Sequence, residues 1–294
     1  MNIIDLHCDT IYEYAKRGLE NLFINENFLL EAKYIAQVFA IYTPSELHRD
    51  KAFKWVEASI QRFKKYIDEF TKITISKDIK QNINNDNICA ILSVENAEFL
   101  DNKIERLKFC CENNVRILGL IHNGENCLGY PHTQNLGLKK FGKEVIEALE
   151  NTNIIIDVSH LSLKGFFDVA NLTKKPFIAS HSACREIQEN TRNLFDKQIK
   201  IIAQSGGVVG VPFYSYFLNG TNKTGISDII YHLEHLIKVG GENVAAFGTD
   251  FDGMQCDLGI KNALDMKKLV DEIIKNFGSS VAEKICYKNA LRIL

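Results

Sequence analysis

No apolar run in this sequence approaches the roughly 20 residues that a membrane-spanning helix needs. Its eight cysteines, at positions 8, 89, 110, 111, 127, 184, 256 and 286, include no CxxC pair. Several of them lie inside apolar segments, where a free thiol behaves as a small hydrophobe, so they read as reduced and structural. Neither charge sign dominates: 35 Lys and Arg stand against 37 Asp and Glu, for a formal net charge of −2. That balance argues against a nucleic-acid or membrane-surface partner and leaves a small molecule as the expected one. The start, Met1-Asn2-Ile3-Ile4-Asp5-Leu6-His7, reaches acid and imidazole before any basic and apolar leader could form, and the Lys-rich end has no hydrophobic tail. The expected location is the cytoplasm. No linker, repeat or low-complexity block interrupts residues 1–294, which read as one domain.

What is present is a chain with 46% hydrophobic residues, enough for one sizeable core. Eight short β-rich runs can be marked: 2–6, 34–42, 88–94, 115–121, 153–159, 176–180, 207–213 and 244–249. Helical spacing of apolar residues by three and four occupies 46–73, 103–113, 143–151, 162–172, 196–204, 226–239 and 264–277, with a closing helix over 279–294. The runs are nearly continuous in apolar residues, as parallel strands covered on both faces are. Eight strand and helix units predict an α/β fold of the (β/α)8, TIM-like barrel type, with an open doubly wound sheet as the competing architecture.

In such a barrel, reactive groups gather where the strands end. The first run ends in His7-Cys8-Asp9, whose alternation sends His7 and Asp9 to one side. The third ends in Glu95, the fourth in His122-Asn123, the fifth in His160, the sixth in Ser180-His181-Ser182 and the eighth in Asp250-Phe251-Asp252. A lone histidine after a strand is more often a structural residue. Four of the eight histidines at the same end of different strands, beside three carboxylates, are a different matter. Imidazole and carboxylate are the ligand mixture expected for zinc. The set exceeds one tetrahedral site and suffices for two that share a bridge, which predicts a dinuclear, metal-dependent hydrolase.

Seven segments, Asp5 to Thr10, Val94 to Ala97, Asp157 to His160, Ser180 to Ser182, Thr191 to Leu194, Gly206 to Gly210 and Gly248 to Gly253, resemble the membrane (renal) dipeptidase family of zinc peptidases in the same order. Asn289-Ala290-Leu291-Arg292 resembles the family's last helix. The resemblance implies that His7 and Asp9 bind the first zinc, that His160 and His181 bind the second, and that Glu95 bridges both together with a water or hydroxide. It implies further that Asp250 handles the proton, that Arg192 pairs with the substrate's terminal carboxylate, and that His122 steadies the developing oxyanion. The implied partner is a dipeptide, its C-terminal residue in either the L or the D form, and the assembly allowed for is a homodimer. The paired cysteines, signal and lipid anchor of the animal members have no counterpart here, so membrane attachment does not carry over. Thr191 stands where the family has a proline.

Other histidines take plainer readings. His232 and His235 lie three apart on a helix of the outer ring and read as surface residues, and His48 as an exposed residue starting a helix. His132 could brush the pocket, and Asp252 could brace Asp250. Gly206-Gly207 precedes a strand, so it is no phosphate cradle. The nearest rival is another amidohydrolase-type enzyme acting on a small or cyclic amide, whose first strand usually offers His-x-His where this chain has His7-x-Asp9. A metal-free binding barrel is the rival of a different class.

Overall fold

The computed structural model describes residues 1–76, 79–84, 87–254 and 257–294. Cys256 lies outside them, and no disulfide joins the other seven cysteines. Seven parallel strands hydrogen-bond in the spatial order Ile155–Asp157, Val115–Gly119, Ile88–Glu95, Tyr34–Tyr42, Ile3–Asp5, Ala245–Phe247 and Val209–Val211. They are the fifth, fourth, third, second, first, eighth and seventh barrel strands. The ring closes through residues 178–179, which bridge Asp157 on one side and Val209 on the other, both parallel. The sixth strand is therefore two residues and not the predicted 176–180. Just beyond it the barrel wall is tight, since a Cβ at Gly210 of the seventh strand or at Gly248 after the eighth would fall on the Ser180 carbonyl oxygen.

The central strands are buried along their length, as their apolar runs require. One cluster of side chains joins the outer strand faces to the helices, while a second, including Ile4, Leu6, Val38, Ile91, Ile117, Ile178 and Ala246, fills the barrel interior. At the base, Arg116 donates to the carbonyls of Ile293 and Leu294, which fastens the last helix across the barrel bottom. The predicted break between the last two helices falls at Gly278, whose φ of 75° turns the chain between them.

Other features also depart from the sequence-based expectation. The helix expected over 46–73 runs Arg49–Asp68, and Ile73 instead opens a short strand, Ile73–Ile75, beside the start of the third barrel strand. The 103–113 helix is split into a 3-10 turn, Ile104–Arg106, and an α-helix, Leu107–Glu112. The helix Thr10–Arg17, which no apolar periodicity announced, follows the first strand directly and roofs part of the barrel mouth.

Candidate metal centre

The strand-end candidates converge on one cavity of about 850 Å³ at the barrel mouth, with Asp9, Glu95, His122, His160, His181 and Asp250 in its wall. His7 lies beneath them, its ring centroid 3.9 Å from that of His181. Between His7 and Asp9, Cys8 turns into the wall, its backbone bridging Phe251 and its thiol facing the Val38 carbonyl. His7 Nε2 consequently stands 3.7 Å from Asp9 Oδ2 and 3.8 Å from Asp250 Oδ1. Across the mouth, Glu95 Oε1 lies 3.0 Å from His160 Nε2 and 3.5 Å from His181 Nε2. The donor atoms form overlapping sets, His7-Asp9-Asp250, His7-Glu95-His181 and Glu95-His122-His160, each within 4.8 Å.

A count of protons tests whether a cation fits. His160 Nδ1 lies 2.9 Å from Asn123 Oδ1, an atom that can only accept, so the ring proton sits on Nδ1 and Nε2 is bare. His181 Nδ1 lies 2.8 Å from Ser180 Oγ, whose own proton is given to Asp157, so here too Nε2 is bare. Those two bare nitrogens face each other at 2.9 Å and share the Glu95 oxygen. The only proton available among these three atoms is the carboxyl proton of Glu95, and two bare nitrogens 2.9 Å apart repel unless a cation lies among them. Glu95 Oε1 and His7 Nε2 are both buried without a hydrogen-bond partner, which a metal ion would supply. The residues fit.

Electrostatics agree. Burial, then neighbouring cations, holds His160 and His181 well below the usual imidazole range, so both stay neutral. Burial pushes Glu95 up to about 8, and burial with the charge of Asp9 pushes Asp250 up to about 7. For His7, burial is outweighed by Asp9, Glu95 and Asp250, which raise it to about 10. The metal-free protein thus crowds carboxylates that resist ionising. In the window above about 6.5, folded Glu95 and His7 hold protons that the unfolded chain has released, so metal-free stability falls as pH rises toward 8. Below that window the buried histidines act in the opposite sense. We expect the thermal midpoint of metal-free protein to peak near pH 6.5 and decline above it. Bound metal should remove that decline, because an ion stabilises the ionised carboxylates. Calorimetry at pH 6.5 and 8 with and without metal checks this.

The local backbone is specialised. His160, Asp250 and Asp252 take φ values of 65°, 62° and 67°, in the left-handed region that costs most residues about 1–3 kcal/mol. Gly253 leaves no room for a side chain, since a Cβ there would overlap the carboxylates of Asp9 and Asp250. Gly253→Ala is therefore expected to displace those carboxylates and reduce metal content, readable by metal analysis of the purified variant.

Of the remaining candidates, His122 ends the fourth strand region with its ring 4.7 Å from Tyr42 and 4.5 Å from His160. Asn123 donates to its Nε2 at 3.3 Å, which leaves a buried Nδ1 proton without a partner. Arg192 is buried, donates to Ser182 Oγ and to the His181 carbonyl, and keeps an unpartnered Nε. It lines a small side cavity of about 30 Å³ behind His160, not the main one. His132 borders the same side cavity and hydrogen-bonds Thr191. Asp252 braces the mouth, accepting from Thr10, Arg17 and the Phe23 amide. His48 is exposed beside Glu98, as expected. His232 corrects the surface reading: it is fully buried, accepting from the Cys184 amide and donating to the Leu218 carbonyl. His235 is half-buried against Asp196.

Sequence reasoning missed Tyr12, Glu13, Lys16 and Arg17, which the helix Thr10–Arg17 presents to the cavity, and Tyr42, Tyr214 and Phe217 in its walls. The acidic first turn and basic last turn of that helix, closed by Gly18, were its available signals.

A parallel barrel whose mouth gathers histidines and carboxylates with bare, converging lone pairs defines a metal-dependent hydrolase. The chain belongs to the membrane dipeptidase family, peptidase family M19, whose model matches residues 1–294. It is therefore a metallo-dipeptidase by class. It is 29% identical over 220 residues to an uncharacterised protein of the pqqA 5′ region of Klebsiella pneumoniae, covering 70% of this chain and 81% of that one. It is also 28% identical over 263 residues to an uncharacterised dipeptidase of Schizosaccharomyces pombe, covering 85% of this chain and 63% of the yeast protein. Among solved structures, a metallopeptidase from Rhodobacter sphaeroides bound to a phosphinate mimic of L-Ala-D-Ala superposes with a TM-score of 0.94, at 22% identity over 100% of this chain and 98% of that one. No described helix is long and apolar enough to cross a membrane.

Proposed function

We propose that this chain hydrolyses the peptide bond of free dipeptides, L,D as well as L,L, with two zinc ions held by five of its residues. His7 and Asp9 would hold one ion, His160 and His181 the other, and Glu95 would bridge them. When bound, such a pair supplies a water acidified toward neutrality and polarises the scissile carbonyl. The observation carrying this reading is the meeting of the bare Nε2 atoms of His160 and His181 with Glu95 Oε1.

The chain's own groups divide the remaining work. Asp250, in the cavity wall with its Oδ1 3.8 Å from His7 Nε2, would take and return the proton. His122, whose side chain lines the cavity beside Glu95 and His160, would steady the developing oxyanion. Arg192 would pair with the terminal carboxylate from the side cavity behind His160, where Ser182 and the His181 carbonyl orient its buried guanidinium. The mimic bound by the Rhodobacter protein supports acceptance of a D-residue. Cysteines that form no disulfide among the described residues support work in the cytoplasm.

A panel of L,L and L,D dipeptides, run beside metal quantitation, tests the proposal; two metal equivalents without cleavage of any dipeptide would overturn it. Arg192→Ala should raise KM more than it lowers kcat, because the lost pairing already exists in the ground state. Wild-type protein that cleaves C-terminally amidated dipeptides as well as free ones would remove Arg192 from this role.

A further inference from the structure

We propose that Asp157 and Ser180 act as a proton-orienting relay that fixes the tautomer of His181, and so decides which of its nitrogens is free to hold a metal ion. The inference rests on the metal-centre reading above and assigns positioning roles to two residues that touch neither ion nor substrate.

The relay is legible in its hydrogen bonds. Asp157 Oδ1 accepts two backbone amides, Ser159 N at 2.9 Å and Ser180 N at 3.0 Å. Its Oδ2 accepts the Ser180 hydroxyl. With its one proton committed to Asp157, Ser180 Oγ can only accept from His181 Nδ1 at 2.8 Å, which places the ring proton on Nδ1. Nε2 is left bare, turned toward Glu95 and His160. All three side chains are buried, so water does not compete for the roles. His160 has its own orienting partner, Asn123. The two metal-facing imidazoles are therefore set independently, one by an amide and one by a carboxylate acting through a hydroxyl.

Asp157→Asn reverses the relay without changing its shape. The two amide donors require the carbonyl oxygen of the new side chain at the Oδ1 position, which puts its NH2 group at Oδ2, facing Ser180. Ser180 Oγ must then accept from that group and send its own proton elsewhere. The nearest acceptor is His181 Nδ1 at 2.8 Å, against Ser159 Oγ at 3.4 Å. The ring proton consequently moves to Nε2, where it points at Glu95 and blocks the metal. An acid-to-amide change that puts a histidine proton on the wrong nitrogen has the same logic as the corresponding change in a serine-protease triad.

The test reads proton position and metal affinity separately. In metal-free wild-type protein with 15N-labelled histidine, long-range 1H–15N correlations should show His181 protonated at Nδ1. In Asp157→Asn they should show it protonated at Nε2. Zinc titration of the variant should give about 10- to 100-fold weaker binding, the usual cost of losing an outer partner of a ligating histidine. Its metal-free thermal midpoint should stay level or rise, since an Nε2 proton relieves the repulsion at Glu95. Ser180→Thr should keep the wild-type tautomer and affinity, and Ser180→Ala should lose both. Persistence of the Nδ1 proton in Asp157→Asn overturns the relay, as does a fall in metal-free stability that accounts for the lost affinity. If wild-type protein binds no zinc, the metal-centre reading fails, and the tautomer measurement still decides the relay.

Discussion

Asp250→Asn is expected to lower kcat by about 10²- to 10⁴-fold, the usual contribution of a general acid or base, with zinc content and KM close to wild type. The amide keeps the shape of the acid and tolerates the left-handed backbone at this position, but it cannot accept and return a proton. The geometry makes the experiment decisive in both directions. Asp250 Oδ1 lies 3.8 Å from His7 Nε2, and Asp250 shares a donor set with His7 and Asp9. If zinc leaves together with activity, Asp250 is a ligand, and proton transfer passes to another group such as His122. Stopped assays beside metal analysis of the same preparation separate the two outcomes.

Glu95→Gln should strip the centre. Its carboxylate stands against both His160 and His181, so an amide there replaces a shared negative charge with a neutral group. The expected loss of metal affinity exceeds the roughly 10- to 100-fold that removal of an outer partner costs, and activity should fall with it. Burial already holds Glu95 protonated to about 8 in the metal-free protein, so a neutral side chain suits the empty fold. Metal-free stability at pH 8 should accordingly rise while metal binding collapses. Full zinc occupancy in this variant would exclude a bridging role.

The barrel was legible because parallel strands covered on both faces leave uninterrupted apolar runs, and Tyr34–Tyr42 and Ile88–Glu95 are buried almost throughout. The sixth strand was overstated: only residues 178–179 form ladder bridges, and beyond them the Ser182 amide alone donates back to Gly210, where the chain packs too tightly for a side chain on Gly210. Strand-end position was enough to group Asp9, Glu95, His122, His160, His181 and Asp250, which the structure brings to one mouth, since a parallel barrel points every strand the same way. His232 escaped because its burial depends on two partners, Cys184 and Leu218, that lie far away in the chain. Arg192 was identified without its depth. Its contacts with Ser182 and the His181 carbonyl exist only once the loop has folded back over the sixth strand.

The left-handed backbone at His160, Asp250 and Asp252 limits which amino acids the centre can sample over evolution. Asparagine, aspartate and histidine are the side-chain-bearing residues most at ease there, and β-branched or bulky ones are penalised whatever chemistry they bring. Main-chain shape and coordination chemistry thus favour the same short alphabet at these turns. Drift toward a different metal preference is more easily accommodated at Glu95, whose position within an ordinary strand imposes no such filter.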